Sequence, residues 1–130
     1  MEKWERWTVN PELPAKLELQ ALIDDQDGLR LVFTSVHDDT YTFLFDGLVF
    51  SYRNTDEGTL LKSLNRLFNH YEADFIGDWT LFQVTDSSYL EWLAEESDTS
   101  YETVYTIQHY VFLTSNDVVE VLSTEPPILI

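Results

Sequence analysis

Three histidines and twenty-four carboxylates are the raw material for chemistry in this 130-residue chain, which has no cysteine. His37, His70 and His109 are not spaced i, i+3 or i+4, and no His-Glu-x-x-His is present, so no local metal site is expected. The missing cysteines remove disulfides, thiolate zinc and a thiol nucleophile. Asp24, Asp25 and Asp27, and again Asp38 and Asp39, crowd into short polar runs where Asp belongs for turn geometry alone. Asp24-x-x-Asp27 lacks the alternating oxygen ligands and closing Glu of a calcium loop. No Gly-x-Ser-x-Gly elbow, Walker lysine loop or dinucleotide fingerprint occurs. A paired-carboxylate hydrolase needs two acids in contrasting environments, and nothing in the sequence selects such a pair. No catalytic residue, metal or cofactor is therefore expected.

The residues left as binding candidates are aromatic or charged. Trp and Tyr serve both cores and binding hot spots. Trp4 and Trp7 flank Glu5 and Arg6. They either clamp the first segment onto a sheet or offer an aromatic patch to a partner. Trp92 stands on a short predicted helix, with Glu91 and Glu95 on its wet side, and is expected at the rim of the buried face. Arg53 precedes a helix start and is expected to brace that corner through Glu57. His109 lies between Gln108 and Tyr110 in a predicted strand, as a hydrogen-bonded sheet residue. The alternative reading makes His109 and nearby carboxylates the centre of a small hydrolase or ligand-binding pocket.

Charge is the most informative property. The formal net charge is −17. All seven Lys and Arg lie at or before Arg66, and residues 67–130 hold twelve Asp and Glu with no Lys or Arg. So acidic a chain argues against nucleic-acid binding and against anionic membranes. It suits a basic protein partner, because complementary fields speed encounter.

The elements that position these residues follow from periodicity. Lys16–Ile23 and Leu29–Thr34 alternate as strands around a turn ending at Gly28. Tyr41–Arg53 reads as one long strand bulged at Asp46-Gly47, with a hairpin there as the competing reading. Leu60, Leu61, Leu64, Leu67, Phe68 and Tyr71 make one apolar stripe on a helix over Thr59–Tyr71, with Phe68 expected buried. Trp79–Val84 is a strand. Ser88-x-x-Glu91 matches a capping box opening a helix to Glu96. Val104–Leu113 and Val118–Leu122 form a hairpin across Asn116-Asp117, and Pro126-Pro127 ends it. The expectation is one α+β domain over residues 1–130, a mostly antiparallel sheet of five to six strands with two helices, in the order β-β-β-α-β-α-β-β. The charged opening Met1–Trp7 is unlike a signal peptide, and no run of 18 apolar residues occurs, so a cytoplasmic location is expected.

Asp86-Ser87-Ser88-Tyr89-Leu90-Glu91-Trp92-Leu93, Gln108-His109-Tyr110 and Asn116–Ser123, with Tyr52–Glu57, resemble a group of small acidic bacterial proteins of uncharacterised function. By size and charge the chain is also similar to toxin-immunity proteins. The resemblance implies an interaction protein, an immunity or inhibitor module without enzymatic activity, and assigns no catalytic residue.

Overall fold

The computed structural model of the chain describes residues 2–98 and 103–130. It is α+β, with nine strands in two antiparallel sheets and three α-helices among the described residues. The strands are β1 (Lys3–Arg6), β2 (Glu18–Asp25), β3 (Gly28–Thr34), β4 (Thr40–Phe45), β5 (Val49–Asp56), β6 (Leu81–Thr85), β7 (Gln108–Leu113), β8 (Asp117–Ser123) and β9 (Ile128–Leu129). The helices are α1 (Leu61–His70), α2 (Ala73–Gly77) and α3 (Ser88–Glu96), with a 3-10 turn over Glu57–Thr59. One sheet runs β1-β6-β7-β8-β5 and the other β2-β3-β4-β9. The single sheet with two helices expected from the sequence is thus corrected to two sheets and three helices.

The layering explains the correction. Leu29, Leu31 and Phe33 on β3 and Phe43 and Phe45 on β4 alternate with wetter positions, so the four-stranded sheet buries one face. That face packs on Tyr110 and Phe112 of β7 and Val119 and Val121 of β8. The five-stranded sheet is covered on its other face too, where Trp4, Phe82, Val84, Val111 and Val118 meet Leu64 and Ile76. β7 and β8 are consequently buried on both faces. Phe112 is wholly buried, with the rings of Phe33, Phe43 and Phe45 at 5.3, 5.5 and 6.1 Å. Phe112→Ala is expected to cost about 3–5 kcal/mol, measured by urea unfolding, because a cavity opens between two sheets that cannot both collapse.

The chain between Tyr41 and Arg53 is neither one bulged strand nor a hairpin. It leaves the four-stranded sheet after Phe45 and enters the five-stranded sheet at Val49. A Cβ on Gly47 would stand 2.6 Å from Glu125 Cγ and 2.8 Å from Thr124 Oγ1, so this crossing needs glycine for close approach. The true bulge lies between Val49 and Ser51 against β8. By contrast, the turn at Asp27-Gly28 is as expected: Asp25 pairs with Gly28, whose φ of 105° favours glycine.

Two further expectations are corrected. Phe68 is 42% exposed. α1 touches the sheet along Leu60, Leu64, Leu67 and Tyr71, a narrower line than the sequence stripe, and Phe68 falls off its edge; the side chain of Leu61 lies outside the described set. Residues 103–107 are not strand, and β7 begins at Gln108. The first segment forms edge strand β1, paired to β6 with Trp4 opposite Val84. No described helix is long and apolar enough to cross a membrane.

The cations of the first half hold this frame together. Arg6 donates to the carbonyls of Asp74 and Phe75, and its guanidinium lies over the rings of Phe75 and Trp79. Lys16 donates to the carbonyls of Trp79 and Leu113, and burial lowers its pKa against the pull of Glu18, Glu57 and Asp78. Arg30 pairs with Asp25.

Candidate functional site

Of the candidate residues, Arg53 and His109 converge on the helix-bearing face of the five-stranded sheet. There β5 and β8 pair antiparallel, with Arg53 opposite Glu120, and β7 places His109 one step along on the same face. Arg53 Nε and Nη2 donate to Glu120 at 2.5 and 3.1 Å, and His109 Nε2 lies 3.0 Å from Glu120 Oε1. The expected Arg53–Glu57 brace is replaced by this cross-strand pair. The alternation of β5 points Arg53 at the sheet face, while Glu57 begins the 3-10 turn beyond it.

From His109 the string continues into α3. Its Nδ1 lies 2.7 Å from Ser87 Oγ, which accepts from the Leu90 amide and so caps the helix. The cap is therefore Ser87, one residue before the expected Ser88. Asp86 precedes it at φ 53°, a left-handed turn that Asp tolerates. Ser88 instead donates its amide and hydroxyl to Glu2, which adds a carboxylate at the positive helix end. Glu120 can only accept, so His109 Nε2 carries the proton and Nδ1 accepts from the Ser87 hydroxyl. This tautomer, assigned from the hydrogen-bond network, gives both ring nitrogens of His109 a partner.

Burial alone would push the Glu120 carboxyl up. The hydrogen bonds from His109 and Arg53, with the charge of Arg53, outweigh it and hold the carboxyl below its ordinary value. Ser87, His109 and Glu120 are each more than nine-tenths buried. The order Ser–His–Glu resembles a hydrolytic triad, but Ser87 is buried and its hydroxyl is engaged by both the helix cap and His109. The arrangement fastens α3 to the sheet.

Tyr89 completes the fastening. It is buried, edge-on to His109 at 5.4 Å, with the Arg53 guanidinium 4.0 Å from its ring centroid and its hydroxyl bonded to Ser51. Burial raises its pKa, against the opposing Ser51 bond and Arg53 charge. Trp92 lies one helical turn on, its ring 5.8 Å from that of Tyr89. It is 48% exposed, at the rim as expected, and Glu91 and Glu95 are exposed beside it.

Trp4 and Trp7 do not form a surface patch. Their odd spacing along an extended segment sends them to opposite faces. Trp4 is buried beside Phe82 in the helix-side core, and Trp7 packs on Tyr110 in the core between the sheets. Sequence reasoning missed Ser87, Tyr89, Glu2 and Glu120. Glu120 had a signal: one carboxylate inside Val118-Val119-Glu120-Val121-Leu122 needs a buried partner. Among the described residues no group of three or more His, Asp or Glu could hold a metal ion. No family model, no characterised protein and no solved structure matches the chain.

Proposed function

We propose that the protein is a non-enzymatic interaction module whose α3 surface binds a basic protein, in the manner of an inhibitor or immunity protein. The single observation that carries the reading is Trp92: a half-exposed aromatic on a firmly fastened helix, bordered by Glu91 and Glu95. A rigid aromatic anchor inside a ring of charge is the usual make-up of a binding hot spot. The surroundings reinforce it. Seven Lys and Arg stand against twenty-four Asp and Glu and none of the seven lies in residues 67–130, so little positive charge offsets the acidic second half. The rival reading, a hydrolase built on His109, is disfavoured because Ser87 and His109 are buried and the Ser87 hydroxyl is committed to the α3 cap and to His109.

The test uses nona-arginine carrying one tryptophan as a basic probe. Amide and indole shifts on titration are expected to concentrate on α3 and the Trp92 side chain. The association rate is expected to fall about tenfold or more between low and physiological salt, since exposed charges are screened beyond about 8 Å at physiological ionic strength. Shifts spread evenly over the surface, or a rate indifferent to salt, would falsify the proposal.

A further inference from the structure

Side chains alternate along β3. Leu29, Leu31 and Phe33 point into the core between the sheets, so Arg30, Val32 and Thr34 point away from it. The strand register builds this outer face into two rows across the four-stranded sheet. Ile23, Arg30, Leu44 and Ile128 stand side by side in one row. Ala21, Val32 and Thr42 form the other, and Ile130, whose amide bonds to Thr42, ends it. None of these eight residues belongs to either hydrophobic core, although six are apolar. Ile128 and Ile130 are exposed and the other six half-buried. α1 and α2 pack on the five-stranded sheet and α3 on β7, so no described helix covers the face.

Charge decides what can cover it. The chain carries twenty-four carboxylates and a net charge of −17, yet the two rows hold a single charge. That charge is Arg30, which Asp25 at the end of β2 answers at 2.6 Å. A basic partner finds no unpaired carboxylate in these rows, and an acidic one finds only an arginine already paired. An anionic membrane is repelled by the chain as a whole. A second copy is different. A two-fold contact sets the same patch on both sides, so the patch must be complementary to itself. Apolar rows around an internally neutralised ion pair meet that condition, whereas an acidic face would repel its own copy. The other face of the same sheet already packs on a sheet, the arrangement such a contact would repeat.

We infer that two copies of the chain pair through the outer faces of their four-stranded sheets, with Val32 and Leu44 near the centre of the contact. Four strands give a face about 19 Å wide, and the seven residues of β3 make it about 24 Å long. Two such faces bury roughly 900 Å2 together, less than the roughly 1,200 Å2 at which stable complexes begin, so the dimer is a weak one. The helices stand beyond the five-stranded sheet, so pairing leaves both α3 surfaces open. The inference therefore does not depend on the basic-partner reading.

The test is sedimentation equilibrium of the chain at up to about 1 mM, with amide shifts followed on dilution. The apparent mass is expected to rise from 15.2 kDa toward twice that value, and the shifts to centre on β2, β3, β4 and β9. Association should strengthen about tenfold or more with added salt, because the screening length falls from about 30 Å at 0.01 M to about 3 Å at 1 M. That trend is opposite to the one expected for a basic partner. Ile128→Glu, at an exposed position where folding is not at stake, should weaken association about tenfold or more by setting a carboxylate against the copy. Val32→Glu should abolish it, with urea unfolding as the check that the variant folds. A chain that stays monomeric at about 1 mM in high salt overturns the inference, whatever other protein covers that face. So does an association that weakens with salt, survives Ile128→Glu, or shifts amides centred on α3 or β5.

Discussion

Replacing Glu120 with alanine is expected to lower the unfolding free energy by about 3 kcal/mol, among the largest effects of any single polar substitution in the chain. The carboxylate is 7% exposed and accepts from Arg53 twice and from His109 once. The two donors respond differently to its loss. Arg53 has a side chain 51% exposed, so its guanidinium turns toward water and its share of the cost is small. His109 is 2% exposed, so its Nε2–H is left buried with no acceptor. That orphaned donor, together with the void left by the side chain, supplies most of the loss. Glu120→Gln keeps the volume and one acceptor and should cost less. The pH dependence separates this account from a packing effect. The folded carboxyl titrates below its unfolded counterpart, whose pKa is about 4.3. Between the two values the unfolded chain binds the extra proton, so stability rises with pH there. The contribution is complete above the unfolded value and disappears as pH falls through the folded one. Glu120→Gln should therefore flatten the acid limb of stability measured by urea unfolding from neutral pH downward. An unaltered acid limb, or a loss below about 1 kcal/mol in Glu120→Ala, would show that the string is not what holds α3.

What the sequence disclosed, and what it withheld, divides along local and long-range lines. Local chemistry was legible. Gly28 marks the β2–β3 hairpin, and the spacing of Leu60, Leu64, Leu67 and Tyr71 marks α1. The Asn116-Asp117 turn marks the β7–β8 hairpin, and the polarity around Trp92 marks the rim of α3. The partition of strands between sheets was not legible. Tyr41–Arg53 is β-prone throughout, and only the packing of Gly47 against Glu125 breaks it. β5 then finds β8 from 67 residues away at the Arg53–Glu120 pair, a choice no local pattern encodes. The candidate site suffers the same division. Trp92, Arg53 and His109 were picked out individually. Their connection through Ser87, Tyr89 and Glu120 exists only once three strands and a helix are assembled. The odd spacing of Trp4 and Trp7 sends them to opposite faces only where that segment is extended, and its pairing with β6 is a long-range choice.

Trp92→Ala is expected to weaken binding of the basic probe by about 2 kcal/mol, or about thirtyfold, while costing about 1 kcal/mol or less in folding. The asymmetry comes from how α3 is held. Its orientation is set upstream of Trp92, by Ser87 on His109, by Ser88 on Glu2, and by Tyr89 between Arg53 and His109. Trp92 rests on Tyr89 from outside and is 48% exposed, so removing it leaves those attachments intact. In a complex the same ring loses its remaining contact with water, and its loss leaves Glu91 and Glu95 facing a cationic partner across a wet gap. Charge alone then gives a salt-sensitive encounter without a lasting complex, so the change should appear mainly as faster dissociation. Glu91→Gln with Glu95→Gln should do the reverse, slowing association and blunting its salt dependence while leaving dissociation nearly unchanged. Calorimetry and stopped-flow fluorescence on these variants, beside urea unfolding of each, check both halves. If Trp92→Ala loses as much folding stability as binding, the ring is a structural lid on Tyr89, and the recognition surface lies elsewhere on the acidic half.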